Sequence, residues 1–288
     1  MEETWERQSP IYNLSLNEAG IILGEEVVKL EPVNIGLRNS NYKVSTKNNT
    51  YFLRISKGYQ NEVATFNLIK DEINMPKLLY MRNQNDKKYL VYEYIEAESL
   101  QTKDINLNIV IQCAKSLSVI HNHTVNDEFI KLDYPPFEKW YDLFLDNKNC
   151  SERLGDKIVF EIKEMLKKRY KDIIEINKYN SLIHGDFKLS NLMIDKYNKV
   201  YITDFEFCNY GHILADIGQF FREEEKFSKS YIEVFEKVYN KYAVVKLPEN
   251  WYSLSKLRDL INPLQLLTSE GEDNNKNRDL IELVRKYL

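Results

Sequence analysis

The sequence has few cysteines, no excess of basic charge and no long apolar run. Its three cysteines lie far apart without a paired motif, which argues against a disulfide framework or a zinc site and favours a reducing compartment. With 40 Lys and Arg against 44 Asp and Glu, the formal net charge of −4 provides no basic field for a nucleic acid. Since no apolar stretch reaches the length of a bilayer span and no secretory leader pattern occurs, we expect no membrane partner and a cytoplasmic location.

The periodicity of apolar residues changes once along the 288-residue chain, which is long enough for two lobes. The first part predicts helices over 11–24 and 59–70 and strands over 26–33, 40–46, 50–56, 77–81 and 88–94. The second part predicts helices over 107–122, 136–146, 151–177, 228–242, 249–267 and 276–288, with strands only over 192–195 and 200–203. We therefore predict an α+β protein with a small β-rich N-terminal lobe, residues 1–96, and a larger, mainly helical C-terminal lobe, residues 97–288.

The segment 182–222 carries the residues that indicate a chemistry. Asp186 and Asn191 are five residues apart, the spacing of the protein-kinase catalytic loop, in which the Asp is the base and the Asn holds a metal. Asp204 follows thirteen residues later, directly after a predicted strand. Mg²⁺ prefers oxygen ligands and takes one or two carboxylates together with phosphates. The spacing predicts Mg²⁺-assisted phosphoryl transfer from a nucleoside triphosphate.

Together, His184-Gly185-Asp186, Asn191 and Asp204-Phe205-Glu206 resemble the aminoglycoside phosphotransferase and choline kinase superfamily. The resemblance implies a bilobal, protein-kinase-like fold in which Asp186 is the catalytic base, or the group that orients the acceptor hydroxyl. It implies that Asn191 and Asp204 ligate Mg²⁺ and that His184 and Asp216 support the catalytic loop. Glu206 stands where protein kinases carry glycine, which argues against a protein kinase with a mobile activation segment.

The resemblance also places the nucleotide, ATP or GTP, against the N-terminal lobe. Segment 36–42 lies where kinases have their phosphate-covering loop, but it has one glycine instead of three, so a plain hairpin is the alternative. Arg54 stands in place of the usual phosphate-binding lysine, with Glu62 as its expected partner. The expected nucleotide-binding residues are Ser40, Arg54, Glu62 and Tyr92, together with the purine-facing backbone of Glu93, Tyr94 and Ile95.

The acceptor is predicted to be a small molecule with a hydroxyl group. A polycationic aminoglycoside requires carboxylates, whereas choline requires an aromatic cage, for which Trp140, Tyr141, Trp251 and Tyr252 are candidates. Solvated acids and core aromatics are the alternative interpretation of both sets. We expect an aminoglycoside-type kinase; a choline, ethanolamine or other metabolite kinase and an inert nucleotide-binding regulator are the alternatives. The carboxylates expected to bind an aminoglycoside are Asp142, Asp146, Glu270, Glu272 and Asp273.

Overall fold

The computed structural model describes residues 11–33, 39–56, 60–84, 87–126, 128–130, 135–271 and 274–288. Contacts divide the described chain into two compact units. The sheet unit contains the described residues up to Lys103 together with Ser190–Glu206, and the helical unit contains Asp104–Leu189 and Phe207–Leu288. The predicted lobes, 1–96 and 97–288, are each one continuous stretch of chain and stay a prediction.

The sheet unit contains two antiparallel sheets. Its five-stranded sheet has the order β1-β2-β3-β5-β4, and its three-stranded sheet has the order β6-β8-β9. The five strands of the first sheet are β1 (Val27–Val33), β2 (Ser40–Thr46), β3 (Thr50–Ser56), β4 (Leu78–Gln84) and β5 (Lys87–Glu93). The second sheet contains β6 (Ala97–Ser99), β8 (Leu192–Asp195) and β9 (Val200–Ile202), and the helices of this unit are α1 (Leu16–Leu23) and α2 (Gln60–Ile69).

Helix α1 is shorter than the predicted helix over 11–24. Ser15 has an extended backbone and forms a capping box with Glu18, so the helix begins only after it. Gly24 ends the helix with a left-handed φ of 70° and donates its N–H to the carbonyl of Gly20. The buried face of α1 packs into a core formed by Leu14, Ala19, Ile22, Leu23, Tyr42, Val44, Leu53, Ile55, Tyr89 and Val91.

The helical unit contains nine α-helices and one strand pair among its described residues. Strands β7 (Asn180–Ile183) and β10 (Asn209–His212) pair antiparallel. They correct the prediction of only two later strands, because each has four residues and β7 is too buried to alternate. The helices are α3 (Leu107–His121), α4 (Trp140–Leu145), α5 (Lys148–Lys168), α6 (Tyr170–Ile176), α7 (Ile213–Phe220), α8 (Lys229–Tyr242), α9 (Trp251–Asp259), α10 (Ile261–Leu267) and α11 (Asn275–Lys286).

Two stretches predicted as continuous helices are each divided into two helices. One helix of the structure, α7, was not predicted. The stretch 151–177 contains α5 and α6, and Gly155 kinks α5 with a φ of 76°. The stretch 249–267 contains α9 and α10, and α7 was absent from the predicted elements.

The predicted α+β class, with an antiparallel sheet part and a helical part, is confirmed. The three cysteines are buried and form no disulfide. Among the described residues, no helix is both long and apolar enough to cross a bilayer.

Candidate active site

The predicted catalytic loop leaves β7 and is held through its backbone amides. Asp216, fully buried on α7, accepts hydrogen bonds from the N–H groups of His184, at 2.7 Å, and Gly185, at 2.8 Å. The Nδ1 atom of His184 accepts a third hydrogen bond, from the N–H of Asp186 at 3.2 Å. Three consecutive amides are therefore fixed by two buried side chains, both of which the motif indicated.

Gly185 occupies a position that only glycine fits without displacement. Its φ of 80° lies in the left-handed region, and a Cβ atom there would lie 2.5 Å from the carbonyl oxygen of Phe207. On the other side, Gln219 of α7 donates from Nε2 to the carbonyl of Gly185 at 3.3 Å. The peptide before Asp186 is thus enclosed by Phe207 and α7.

The carboxylate of Asp186 is partly exposed and pairs with a cation. The Nζ atom of Lys188 lies 2.9 Å from Oδ2 of Asp186, and the two side chains are 21% and 16% exposed. A partly exposed carboxylate on a fixed backbone can accept a hydrogen bond from a hydroxyl group. Lys188 lies inside the predicted motif, but its residue type alone did not indicate this ion pair.

Two further residues of the helical unit reach Asp216 and were not predicted. His121, at the end of α3, places Nε2 at 3.1 Å from Oδ2 of Asp216 and Nδ1 at 2.7 Å from the hydroxyl of Tyr239 on α8. Both side chains are at most 5% exposed. No local spacing connects them with the motif, since His121 precedes it by about 60 residues and Tyr239 follows Asp216 on a separate helix.

In the sheet unit, Arg54 joins two carboxylates. Its Nη1 atom lies 3.1 Å from Oε1 of Glu62 and 2.9 Å from Oδ1 of Asp204. Burial alone would lower the pKa of Arg54, but these two carboxylates hold it well above its ordinary value. Tyr92 donates its hydroxyl to Oε1 of Glu62 at 2.5 Å, and burial together with the Glu62 charge raises the pKa of Tyr92. The structure therefore brings together four of the residues predicted for the site: Arg54, Glu62, Tyr92 and Asp204.

The segments that carry the two expected Mg²⁺ ligands are joined through the backbone. The carbonyl of Asn191 accepts hydrogen bonds from the N–H of Thr203, at 3.0 Å, and from its hydroxyl, at 2.9 Å. The next residue, Asp204, has a left-handed φ of 68°, an uncommon conformation for a residue with a side chain. The part of the chain that the structure describes holds no group of three His, Cys, Asp or Glu side chains suited to a metal. An amide and a carboxylate nevertheless fit Mg²⁺, because phosphates and water usually complete its shell.

Glu206 is tied to the start of β2. Its Oε2 atom accepts a hydrogen bond from Nδ2 of Asn39 at 2.9 Å. Burial, reinforced by the nearby carboxylate of Asp204, raises the pKa of Glu206 above its ordinary value. The Asn39 contact links the strand after the predicted phosphate-covering loop to the segment after Asp204; residues 34–38 of that loop lie outside the described residues.

Three other residues predicted to bind the nucleotide contact protein groups of the sheet unit: Ser40, Glu93 and Tyr94. The hydroxyl of Ser40 is buried and accepts a hydrogen bond from the N–H of Tyr12 at 2.8 Å, so its contact with phosphate stays a prediction. Glu93 ends β5 and donates its N–H to the carbonyl of Lys77 at 2.9 Å. Tyr94 has the ammonium of Lys43 over its ring at 4.3 Å, and Ile95 follows it in an irregular segment.

Three of the carboxylates expected to bind the acceptor lie among the described residues, and all three are exposed. Asp142 and Asp146 lie exposed on and just after α4, and Asp146 pairs with Lys163 at 2.8 Å. Glu270 is exposed as well. Glu272 and Asp273 lie outside the described residues, so the predicted acceptor contacts of all five acids stay predictions.

Comparison with known proteins identifies the family. The chain belongs to the phosphotransferase enzyme family, whose model matches residues 29–248, and this confirms the resemblance seen in the motifs. A probable ethanolamine kinase from Arabidopsis thaliana is 26% identical over an alignment of 163 residues that covers 49% of this chain. The matched region spans 40% of the length of that relative.

Solved structures of small-molecule kinases share the fold. A spectinomycin phosphotransferase in complex with ADP and spectinomycin has a TM-score of 0.63 at 16% identity, covering 94% of this chain and 92% of that chain. A choline kinase from Streptococcus pneumoniae has a TM-score of 0.60 at 18% identity, covering 94% and 97%. A microcompartment-associated aminopropanol kinase has a TM-score of 0.67 at 14% identity, covering 90% of each chain.

Proposed function

We propose that this chain is a Mg²⁺-dependent kinase that transfers the γ-phosphate of ATP or GTP to a hydroxyl group of a small molecule. The observation that carries the proposal is the fixed loop of His184, Gly185 and Asp186 in a member of the phosphotransferase enzyme family. Asp186 would orient the acceptor hydroxyl and take its proton, late in the reaction because the transition state of phosphoryl transfer is loose. Fixing the backbone on both sides of Gly185 limits the reorganisation that this step requires.

The sheet unit would bind the nucleotide. Arg54, aligned by Glu62, would contact the α- and β-phosphates, which match its planar group of donors. Asn191 and Asp204 would hold Mg²⁺, and the bound ion would neutralise charge on the phosphate oxygens. Arg54 already lies 2.9 Å from Asp204, so the same guanidinium connects the phosphate-binding and metal-binding residues.

For the acceptor we propose an aminoglycoside-type compound first and ethanolamine or choline second. The similarity in fold to a spectinomycin phosphotransferase supports the first, and the similarity in sequence to a probable ethanolamine kinase supports the second. These acceptors combine a hydroxyl with a cationic nitrogen, so one assay format can compare them.

The experiment measures ADP or GDP release with Mg-ATP or Mg-GTP against a panel of aminoglycosides, ethanolamine, choline, thiamine and sugar-like acceptors. On an accepted compound, Asp186→Asn should lower kcat by about 10²- to 10⁴-fold while nucleotide binding persists. Asp204→Asn should remove Mg²⁺-dependent nucleotide binding. The matched control is Asp156→Asn, an exposed carboxylate on α5, which should keep wild-type activity.

Three results would contradict the proposal. If Asp186→Asn retained wild-type turnover, the role assigned to Asp186 would be wrong. Nucleotide binding without transfer to any acceptor would favour the inert regulator, and phosphate appearing on a protein substrate would favour a protein kinase.

A further inference from the structure

A buried chain of hydrogen bonds crosses the helical unit and ends on the catalytic loop. It runs from the hydroxyl of Tyr239 to His121, from His121 to Asp216, and from Asp216 to the amides of His184 and Gly185. Tyr239 and Asp216 are fully buried, and His121 is 5% exposed. These hydrogen bonds therefore join helices α3, α7 and α8 to the backbone that precedes Asp186.

The chemistry of the groups sets the direction of each hydrogen bond. Burial, reinforced by the charge of Asp216, raises the pKa of Tyr239, so its phenol keeps the proton and donates it to Nδ1 of His121. A carboxylate only accepts, so Nε2 of His121 carries a proton and donates it to Oδ2 of Asp216. Oδ2 of Asp216 thereby receives the His184 amide and the imidazole together.

We propose that His121 and Tyr239 are positioning residues of the catalytic loop, which hold the carboxylate of Asp216 in the orientation that binds the His184 and Gly185 amides. Without the imidazole, Oδ2 would lose one of its two donors and the carboxylate could rotate about its Cβ–Cγ bond. Both amide contacts depend on that rotation, since each oxygen of Asp216 serves a different amide.

The test measures hydrogen exchange at the amides of His184 and Gly185 in the full chain. Tyr239→Phe should speed exchange at both amides by about fivefold to tenfold, as expected for one lost neutral hydrogen bond. His121→Leu should speed it by about tenfold to a hundredfold, because a bond to a charged group is lost. His121→Gln retains a donor for Asp216 and should restore most of the protection.

The matched control is Tyr141→Phe. Tyr141 is also buried, at 1% exposure, and donates its hydroxyl to the carbonyl of Leu257 at 2.8 Å, so its hydrogen bond is not to His121 or Asp216. This variant should lower the melting temperature about as much as Tyr239→Phe and leave the two loop amides unchanged. Wild-type exchange at these amides in Tyr239→Phe and His121→Leu, or equal acceleration in Tyr141→Phe, would overturn the proposal; if His121→Leu does not fold, Tyr239→Phe decides alone.

A catalytic readout extends the test, and this part rests on the proposed function. On an accepted acceptor, Tyr239→Phe should lower kcat by roughly fivefold to tenfold and leave the KM for the nucleotide unchanged, because the lost bond acts on the loop alone. If no acceptor is phosphorylated, the proposed function fails while the exchange result still stands. If transfer occurs and kcat is unchanged despite faster exchange, the positioning role in catalysis is wrong.

Discussion

Replacing Gly185 with alanine should destabilise the helical unit through one identifiable clash. A Cβ atom at this position would lie 2.5 Å from the carbonyl oxygen of Phe207 and 3.0 Å from its carbonyl carbon. These are backbone atoms two residues before β10, so they cannot turn away as the end of a flexible side chain can. Overpacking of this kind costs about 1–3 kcal/mol, and the left-handed backbone adds about 1–2 kcal/mol for a residue with a side chain.

The chain offers a control that separates these two contributions. Gly155 has nearly the same φ, 76° against 80°, but an added Cβ atom would find nothing within 4 Å. Its ψ of 156° places it in an extended, positive-φ region that essentially only glycine adopts, so Gly155→Ala should cost the backbone strain alone, about 1–3 kcal/mol, partly offset by about 0.4–1 kcal/mol of lost freedom in the unfolded chain. We expect a loss of about 2 kcal/mol or less for Gly155→Ala and about 2–4 kcal/mol for Gly185→Ala.

Thermal unfolding followed by circular dichroism measures the difference. At roughly 2–4 °C per kcal/mol, Gly185→Ala should melt roughly 5–15 °C below the wild type and well below Gly155→Ala. If the two variants melted within about 2 °C of each other, the close approach between Gly185 and Phe207 would not be the constraint that selects glycine.

Three further predictions concern buried groups. His212 accepts a hydrogen bond from Nε of Arg258, and burial, together with the charge of Arg258, lowers its pKa from 6.5 to about 2. As the pH falls below 6.5, His212 therefore takes up a proton in the unfolded chain but not in the folded one. The free energy of unfolding of the wild type should then fall by about 1.4 kcal/mol per pH unit, a loss that His212→Gln should not show. Urea unfolding of both proteins at pH 7 and pH 5 measures the difference. Asp259→Asn should cost about 3–5 kcal/mol in the same assay, because Arg222, bound at 2.6 and 2.9 Å, would lose its buried counter-charge; a similar stability to the wild type would contradict this. An aromatic disulfide reagent should label no thiol quickly in the native protein and all three after unfolding, since these cysteines are buried and form no disulfide: Cys113, Cys150 and Cys208.

The parts of the fold that were predicted well are those with a local signal. Strands β2 and β3 have the predicted ends because a polar break at 47–49 separates two runs of strand-forming residues. Strands β7 and β10 were missed because four residues carry too little pattern to separate a strand from a loop or helix. The predicted helix over 11–24 was too long because the start of α1 depends on the capping geometry of Ser15, which the apolar residues of the helix do not encode.

The same division holds for the candidate site. Spacing along the chain led to Asp186, Asn191 and Asp204, and the resemblance led to the Arg54–Glu62 pair. It did not lead to His121, whose contact with Asp216 joins residues 95 positions apart and depends on the packing of helices. Residues that support a site from distant elements leave no periodic trace in the sequence, so only the tertiary structure reveals them.

The sheet unit is assembled from two stretches of chain separated by the first half of the helical unit. β6 leaves the ribosome long before its partner β8, with which it pairs from Ala97↔Asp195 to Ser99↔Met193. At a synthesis rate of roughly 5–20 residues per second, the roughly 90 residues between them take roughly 5–20 s to appear. During that interval the edge of β6 lacks its native partner, so the nascent chain has a window in which chaperones or a neighbouring chain can pair with it.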